Sequence, residues 1–166
     1  MLRKIVSGGQ TGADRAALDA ALEQGLKIGG WIPKGRLAED GLIPDRYRGL
    51  HEADSAEPSV RTALNVRDSD ATLIVSQGPL EGGSLLTFQE ARRLERPVLH
   101  IDLSATPEIP PTNRLSEWLR RVSPSTLNVA GPRASEDGEL YPSVVKLLRS
   151  VLPQAGSNDD QSASTL

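Results

Sequence analysis

The amino-acid sequence predicts an α/β protein with a doubly wound, mostly parallel sheet and helices on both faces. Three observations carry that expectation. Short apolar runs alternate with longer stretches of helical spacing along the 166 residues, which is the pattern of βα units. Two of those runs lead directly into glycine-rich turns, Ser7-Gly8-Gly9-Gln10-Thr11-Gly12 and Gln77-Gly-Pro-Leu-Glu-Gly-Gly-Ser84, so the opening pattern repeats itself. The length suits one domain able to bury a core without disulfides or a structural metal, and the chain has no cysteine to supply either through sulfur.

Each element follows from local residues. Lys4 to Ser7 is the first strand, and the helix after it carries Ala13, Ala16, Ala17, Ala20 and Ala21, small helix formers that allow close approach to a sheet, until Gly25 ends it. Lys27 to Ile32 is the second strand, and Pro33-Lys34-Gly35-Arg36 opens a polar loop that runs to about Asp54, long enough to suggest function or mobility. Ser59 to Arg67 reads as a helix with Arg61 and Asn65 one turn apart on one face. Ala71 to Ser76 is nearly unbroken in apolar residues, as the middle of a parallel sheet requires. Leu85 to Glu95 is helical and Pro97 to Asp102 a strand; a helix holding Trp118 and Leu119 follows Pro110-Pro111, then come a short strand from Thr126 to Ala130 and an amphipathic helix from Leu140 to Leu152. Residues 1–152 are therefore expected to form the domain. Residues 153–166, "PQAGSNDDQSASTL", have little to bury and are expected to be a disordered tail.

Charge and composition narrow the partners. A formal net charge of -3 argues against general binding to nucleic acid or anionic membrane, so any anion site must be local. No run reaches the ~18 apolar residues of a membrane span, and glycine arrives by position 8, too early for a secretory signal. The expected location is the cytoplasm.

The chemistry-bearing candidates cluster at strand ends. Glycine lets another group approach the main chain, and free N–H groups at a following helix start favour an anion such as phosphate. The first turn lacks the G-K-[ST] ending of a P-loop, and Ser7 stands where a dinucleotide fingerprint has its first glycine, so neither ATP hydrolysis nor ordinary NAD binding is supported. If the strands ending at Ser7 and Ser76 are neighbours where the winding reverses, both glycine turns face one crevice. Lys34 and Arg36, just past a strand's carboxyl end, would close a phosphate site from above. Arg61 and Asn65 read equally as a solvated helix face. His51 and His100 are the two histidines, with His100 inside an apolar strand; Glu39 with Asp40 and Asp68 with Asp70 are acidic pairs that also read as plain turns. No Ser-His-Asp set or metal quartet is legible.

With these residues in hand, the chain resembles the molybdenum carrier family, within the Rossmann-like group that also holds the lonely-guy phosphoribohydrolases and the DNA-processing protein of natural transformation. The resemblance runs from about Lys4 to Leu148 and is carried, in order, by "SGGQTGADRAALD", "GGWIPKGRLAEDG", "RTALNVRDSDATLI", "LEGGSLLT" and "LNVAGPR". It implies binding of molybdenum cofactor, a reduced pterin bearing a phosphate monoester and a dithiolene that holds the metal. Because the pterin supplies the sulfur ligands, the lack of cysteine is no objection. The implied ligand-binding positions are Gly8, Gly9, Gln10, Thr11 and Gly12, then Lys34 and Arg36, then Gly82, Gly83, Ser84 and Thr87, with Arg61, Asn65, Asn128 and Arg133 beside them. Ser84 stands where threonine is expected, and Ile32 where cysteine is common. The implied partners are a small phosphate-bearing or oxyanion ligand, molybdoenzymes as recipients of the cofactor, and further copies of the chain in a homo-oligomer. The alternative implied by "GGSLLT" is a nucleotide-processing N-glycosidase with Glu90 or Asp14 as general acid or base.

Overall fold

The computed structural model describes residues 1–154; of the expected tail, all but Pro153 and Gln154 lies outside the described residues. The elements run β1 (Lys4–Val6), α1 (Ala13–Glu23), β2 (Lys27–Ile32), β3 (Leu37–Ala38), β4 (Gly41–Leu42), β5 (Leu50–Glu52), α2 (Pro58–Arg67), β6 (Ala71–Ser76), α3 (Gly82–Arg93), β7 (Val98–Asp102), α4 (Pro111–Val122), β8 (Thr126–Ala130) and α5 (Leu140–Val151). Six strands form one sheet in the order β5-β2-β1-β8-β6-β7, and every pairing in it is parallel. Helix α1 packs on α5 and α5 on α4, whereas α2 packs on α3. The result is a Rossmann-like α/β arrangement.

The core follows from the residue types that built the expectation. All six residues of β6 are buried, and the alanines of α1 are fully buried against β1, β8 and α5, where larger side chains would hold the helices apart. Trp118 and Leu115 of α4 and Leu140, Val144 and Leu148 of α5 complete the same cluster.

Two expectations are corrected. Strands β1 and β6 are not neighbours: β8 lies between them, paired with both through Val6↔Asn128 and Thr72↔Asn128. The chain winds outward to β5, crosses to β6 and β7, and returns through α4 to fill the central slot. Sequence order does not encode that return, and the polar Asn128 disguised a buried central strand. The carboxyl end of β8 consequently separates the turns that follow β1 and β6.

The stretch after β2 is also more than a polar loop. It contains the antiparallel hairpin β3–β4, registered Leu37↔Leu42, and the edge strand β5 beside β2. Ile43 and Tyr47 anchor it, buried to 2% and 1% exposure with Leu18, Ile32 and Leu50. Burial pushes the Tyr47 phenol up to about 12. Strands of two or three residues are too short to show a period, which is why the hairpin was invisible in the sequence.

Candidate functional site

At the carboxyl edge the loops after β1, β2 and β8 and the first turns of α2 and α3 converge on a crevice with two lobes. One encloses about 220 Å³ between Gly8, Pro33, Lys34 and Leu37. The other, about 110 Å³, lies between Asp14, Gly83, Ser84, Thr87 and Arg133. Gln10, Pro58 and Arg61 border both. A larger groove of about 360 Å³ lies at the opposite edge, among Met1, Leu2, Ser116, Leu119, Arg120 and Val151.

Arg61 is the centre of the crevice. Its guanidinium lies over the α carbon of Gly8, where a Cβ would come within 2.2 Å of Nη1. Nη1 donates to Thr62 Oγ1 at 3.3 Å, and Nη2 stands 3.8 Å from Asp14 Oδ2, with 15% of the arginine side chain exposed. Arg61 Nε is the one buried side-chain polar atom among the described residues that finds no hydrogen-bond partner in the chain. A guanidinium whose buried Nε is an unmatched donor favours an acceptor that brings negative charge.

The glycines of the first turn mostly make room for protein. Gly8 admits Arg61; a Cβ on Gly9 would meet Ile43 and Ile32; and Gly12, at φ 77°, lies under the Pro132–Ala134 backbone, where a Cβ would approach Pro132 O to 2.5 Å. The start of α1 is filled as well. Asp14 Oδ2 accepts from Gln10 N, Gln10 Oε1 accepts from Thr11 N and Glu39 N, and Pro132 O accepts from Ala13 N. Burial pushes the Asp14 carboxyl up, and Arg61 with the N–H groups of Gln10 and Gly8 pulls it back. Here the anion at the helix terminus is the chain's own carboxylate.

The start of α3 is different. Gly82 and Gly83 have nothing within 4 Å of an ideal Cβ, their N–H groups donate to no described residue, and no side chain caps this helix. Ser84 and Thr87 are buried on the crevice side; Thr87 Oγ1 donates to Gly83 O at 2.8 Å. The first turn of α2, entered through Pro58, likewise has no side-chain cap. Two open helix N-termini therefore flank Arg61.

The remaining candidates separate. Lys34 lines the first lobe, whereas Arg36, at φ 56°, begins the hairpin and borders neither lobe. Arg133 lines the second lobe, 3.8 Å from Glu136. Asn65 is committed to structure: Oδ1 accepts from Trp31 N at 2.7 Å and Nδ2 donates to Trp31 O at 2.9 Å. Asn128 Nδ2 donates to Thr72 Oγ1 inside the sheet at 3.3 Å. Thr11 Oγ1 donates to Glu39 and accepts from Ala134 N. Glu90 is paired with Arg93 at 2.5 Å, which holds its carboxyl below the usual range, and it borders neither lobe.

A clasp that the local sequence does not mark holds this site together. Glu39 binds Thr11 and Ser135, and Asp40 takes the Arg15 guanidinium in a two-bond fork, so the β3–β4 hairpin is tied to α1 and to the loop after β8. Gly131 is equally unmarked in the sequence, although a Cβ there would meet Val75 O at 2.2 Å. Glu39-Asp40 beside Gly41 imitates an ordinary turn, and nothing local distinguishes it. Ser76 Oγ lies 2.7 Å from His100 Nε2 but also donates to Gly78 O, and Asp102 Oδ1 is engaged by Gly78 N and Ser104, so these residues brace a turn. Among the described residues no group of three or more His, Asp or Glu side chains could hold a metal ion.

A model of the circularly permutated YpsA SLOG family matches residues 5–152. The chain is also similar to a crystal structure described as "Putative molybdenum carrier protein" from Syntrophus aciditrophicus SB, with 47% identity over 91% of this chain and 95% of that one and a TM-score of 0.85. No curated protein matches the chain.

Proposed function

The chain belongs to the circularly permutated YpsA SLOG family, and from that premise we propose that it is a carrier that binds and shields molybdenum cofactor in the crevice around Arg61. The carrying observation is the buried Arg61 Nε without an acceptor, set between two uncapped helix starts. That arrangement suits an oxyanion, and the cofactor offers one at its phosphate and another at its oxo-molybdenum end. The name printed for the similar structure supports this ligand class.

The residues fit the group. Arg61, the N–H groups of Gly82 and Gly83 and the Ser84 hydroxyl would hold the anionic end, with Arg133 and Lys34 adding charge at the rim. The two lobes together reach the lower end of the range of small-molecule sites, roughly 300 Å³ upward. The cofactor brings its own dithiolene sulfur to the metal; the chain's part is to match charge and limit access of water and oxidant. No metal ligands are asked of the protein. The alternative N-glycosidase reading draws no support from Glu90, which is turned to Arg93.

Anaerobic purification from a host that makes the cofactor tests the proposal. Molybdenum by plasma mass spectrometry and pterin by fluorescence after oxidation should copurify in equal amounts with the protein, and Arg61→Gln should strip both. A folded protein that carries neither would contradict it.

A further inference from the structure

We propose that Asp14 is a specificity-determining residue of the crevice: it takes up one proton when an oxyanion engages Arg61, so the site accepts anion and proton together. The inference rests on the oxyanion-binding reading above and deepens it.

The geometry places a carboxylate where a bound anion would compete with it. Asp14, 4% exposed at its side chain, lines the same lobe as Gly83, Ser84 and Arg133 and faces Arg61 Nη2 at 3.8 Å. That separation is longer than the roughly 2.7–2.9 Å of a direct charge-assisted bond, so the pair is not a closed fork and Arg61 keeps Nε without an acceptor. The other charged groups around the lobe are farther toward its rim or paired elsewhere. Arg15 is turned to Gly9 O and Asp40, and Glu39 to Thr11 and Ser135; Arg133 and Glu136 also line this lobe, half-exposed and 3.8 Å apart, Lys34 borders only the other lobe, and α3 contributes no titratable group to either lobe. Burial favours the neutral acid, and Arg61 is the cation that works against it.

An oxyanion on Arg61 changes both sides of that balance. It neutralises the charge that favours ionised Asp14, and it adds a like charge in the same lobe; each change favours the neutral acid. Neutral Asp14 also becomes an O–H donor rather than a second acceptor in the lobe. Because binding raises the carboxyl's proton affinity, affinity for the anion must rise as pH falls. The limit for one linked proton is about tenfold per pH unit.

The probe is molybdate, which stays a dianion between about pH 6 and 8 and so adds no proton of its own to the linkage. Calorimetric titration of the full chain in buffers of different ionisation enthalpy counts protons taken up per anion bound. The expected result is net proton uptake in the parent, affinity that strengthens as pH is lowered, and no uptake with pH-independent affinity in Asp14→Asn. If Asp14→Asn does not fold, the parent's infrared difference spectrum decides: molybdate should bring up a protonated-carboxyl band. Binding without proton uptake, or without that band, overturns the role of Asp14 and leaves the oxyanion site standing. Failure of the parent to bind molybdate, phosphate or a pterin phosphate overturns both.

Discussion

At the scale of single residues, Arg61 and the glycine beneath it are one device, and the two glycines that look alike in the motif differ in what they protect. Gly8→Ala would push a flexible guanidinium aside, because its Cβ falls 2.2 Å from Arg61 Nη1. Thermal stability should stay near the parent's while oxyanion affinity drops at least about tenfold, on the scale of one charge-assisted hydrogen bond. Gly12→Ala should do the reverse. A non-glycine residue at φ 77° costs about 1–3 kcal/mol, and the Cβ meets backbone at Pro132, so chemical denaturation should register a loss of that size or more. If Gly8→Ala bound molybdate as the parent does, Arg61 would not be placed by that contact. The sequence showed that the turn needed bare backbone, and it implied a ligand as the reason. It could not show that Arg61, more than fifty residues away, was the group that needed the space at Gly8.

At the scale of elements, the helix starts divide the labour. In the turn before α1, Asp14 accepts from Gln10 N and braces the loop, whereas α3 opens on two glycines facing free space. Gly83→Ala should therefore raise stability by about 0.5–1 kcal/mol, the usual helical gain over glycine, while its methyl group intrudes on the lobe and weakens oxyanion binding. Urea denaturation and calorimetry on the same sample would separate the two effects. The hairpin depends on Glu39, whose carboxyl the Ser135 and Thr11 hydroxyls hold below the ordinary value of 4.5. A depressed folded-state value means that the clasp is complete above about 4.5 and is lost as pH falls through the lower folded value. Amide exchange corrected for intrinsic rate should show protection of residues 37–42 falling through that acidic window, and Glu39→Gln should flatten the response. Long helices and the apolar β6 were legible because their periods are long enough to read. The hairpin, β5 and the central position of β8 were not, since their identity depends on Ile43, Tyr47 and the returning α4 rather than on local pattern.

At the scale of the whole molecule, a parallel sheet with β8 inserted at its centre brings the loops after β1, β2 and β8 and two uncapped helix starts around Arg61. The core under it is tightly committed: Trp118→Ala should cost about 3–5 kcal/mol, shifting the denaturation midpoint without altering affinity in the remaining folded protein. The fold class was legible because alternation of strand and helix constrains topology strongly. The site was legible as a neighbourhood, since its motifs fall at strand ends. Its electrostatic logic was not, because Asp14 and Arg61 acquire their roles only from burial and mutual distance. Equilibrium titration of the parent and of folded Arg61→Gln with molybdate and with a pterin phosphate tests the central claim most directly. Saturable binding by the parent and a loss of about 1.5–3 kcal/mol in the variant, the worth of a hydrogen bond to a charged group, are expected; equal affinity in both would contradict an oxyanion site built on Arg61.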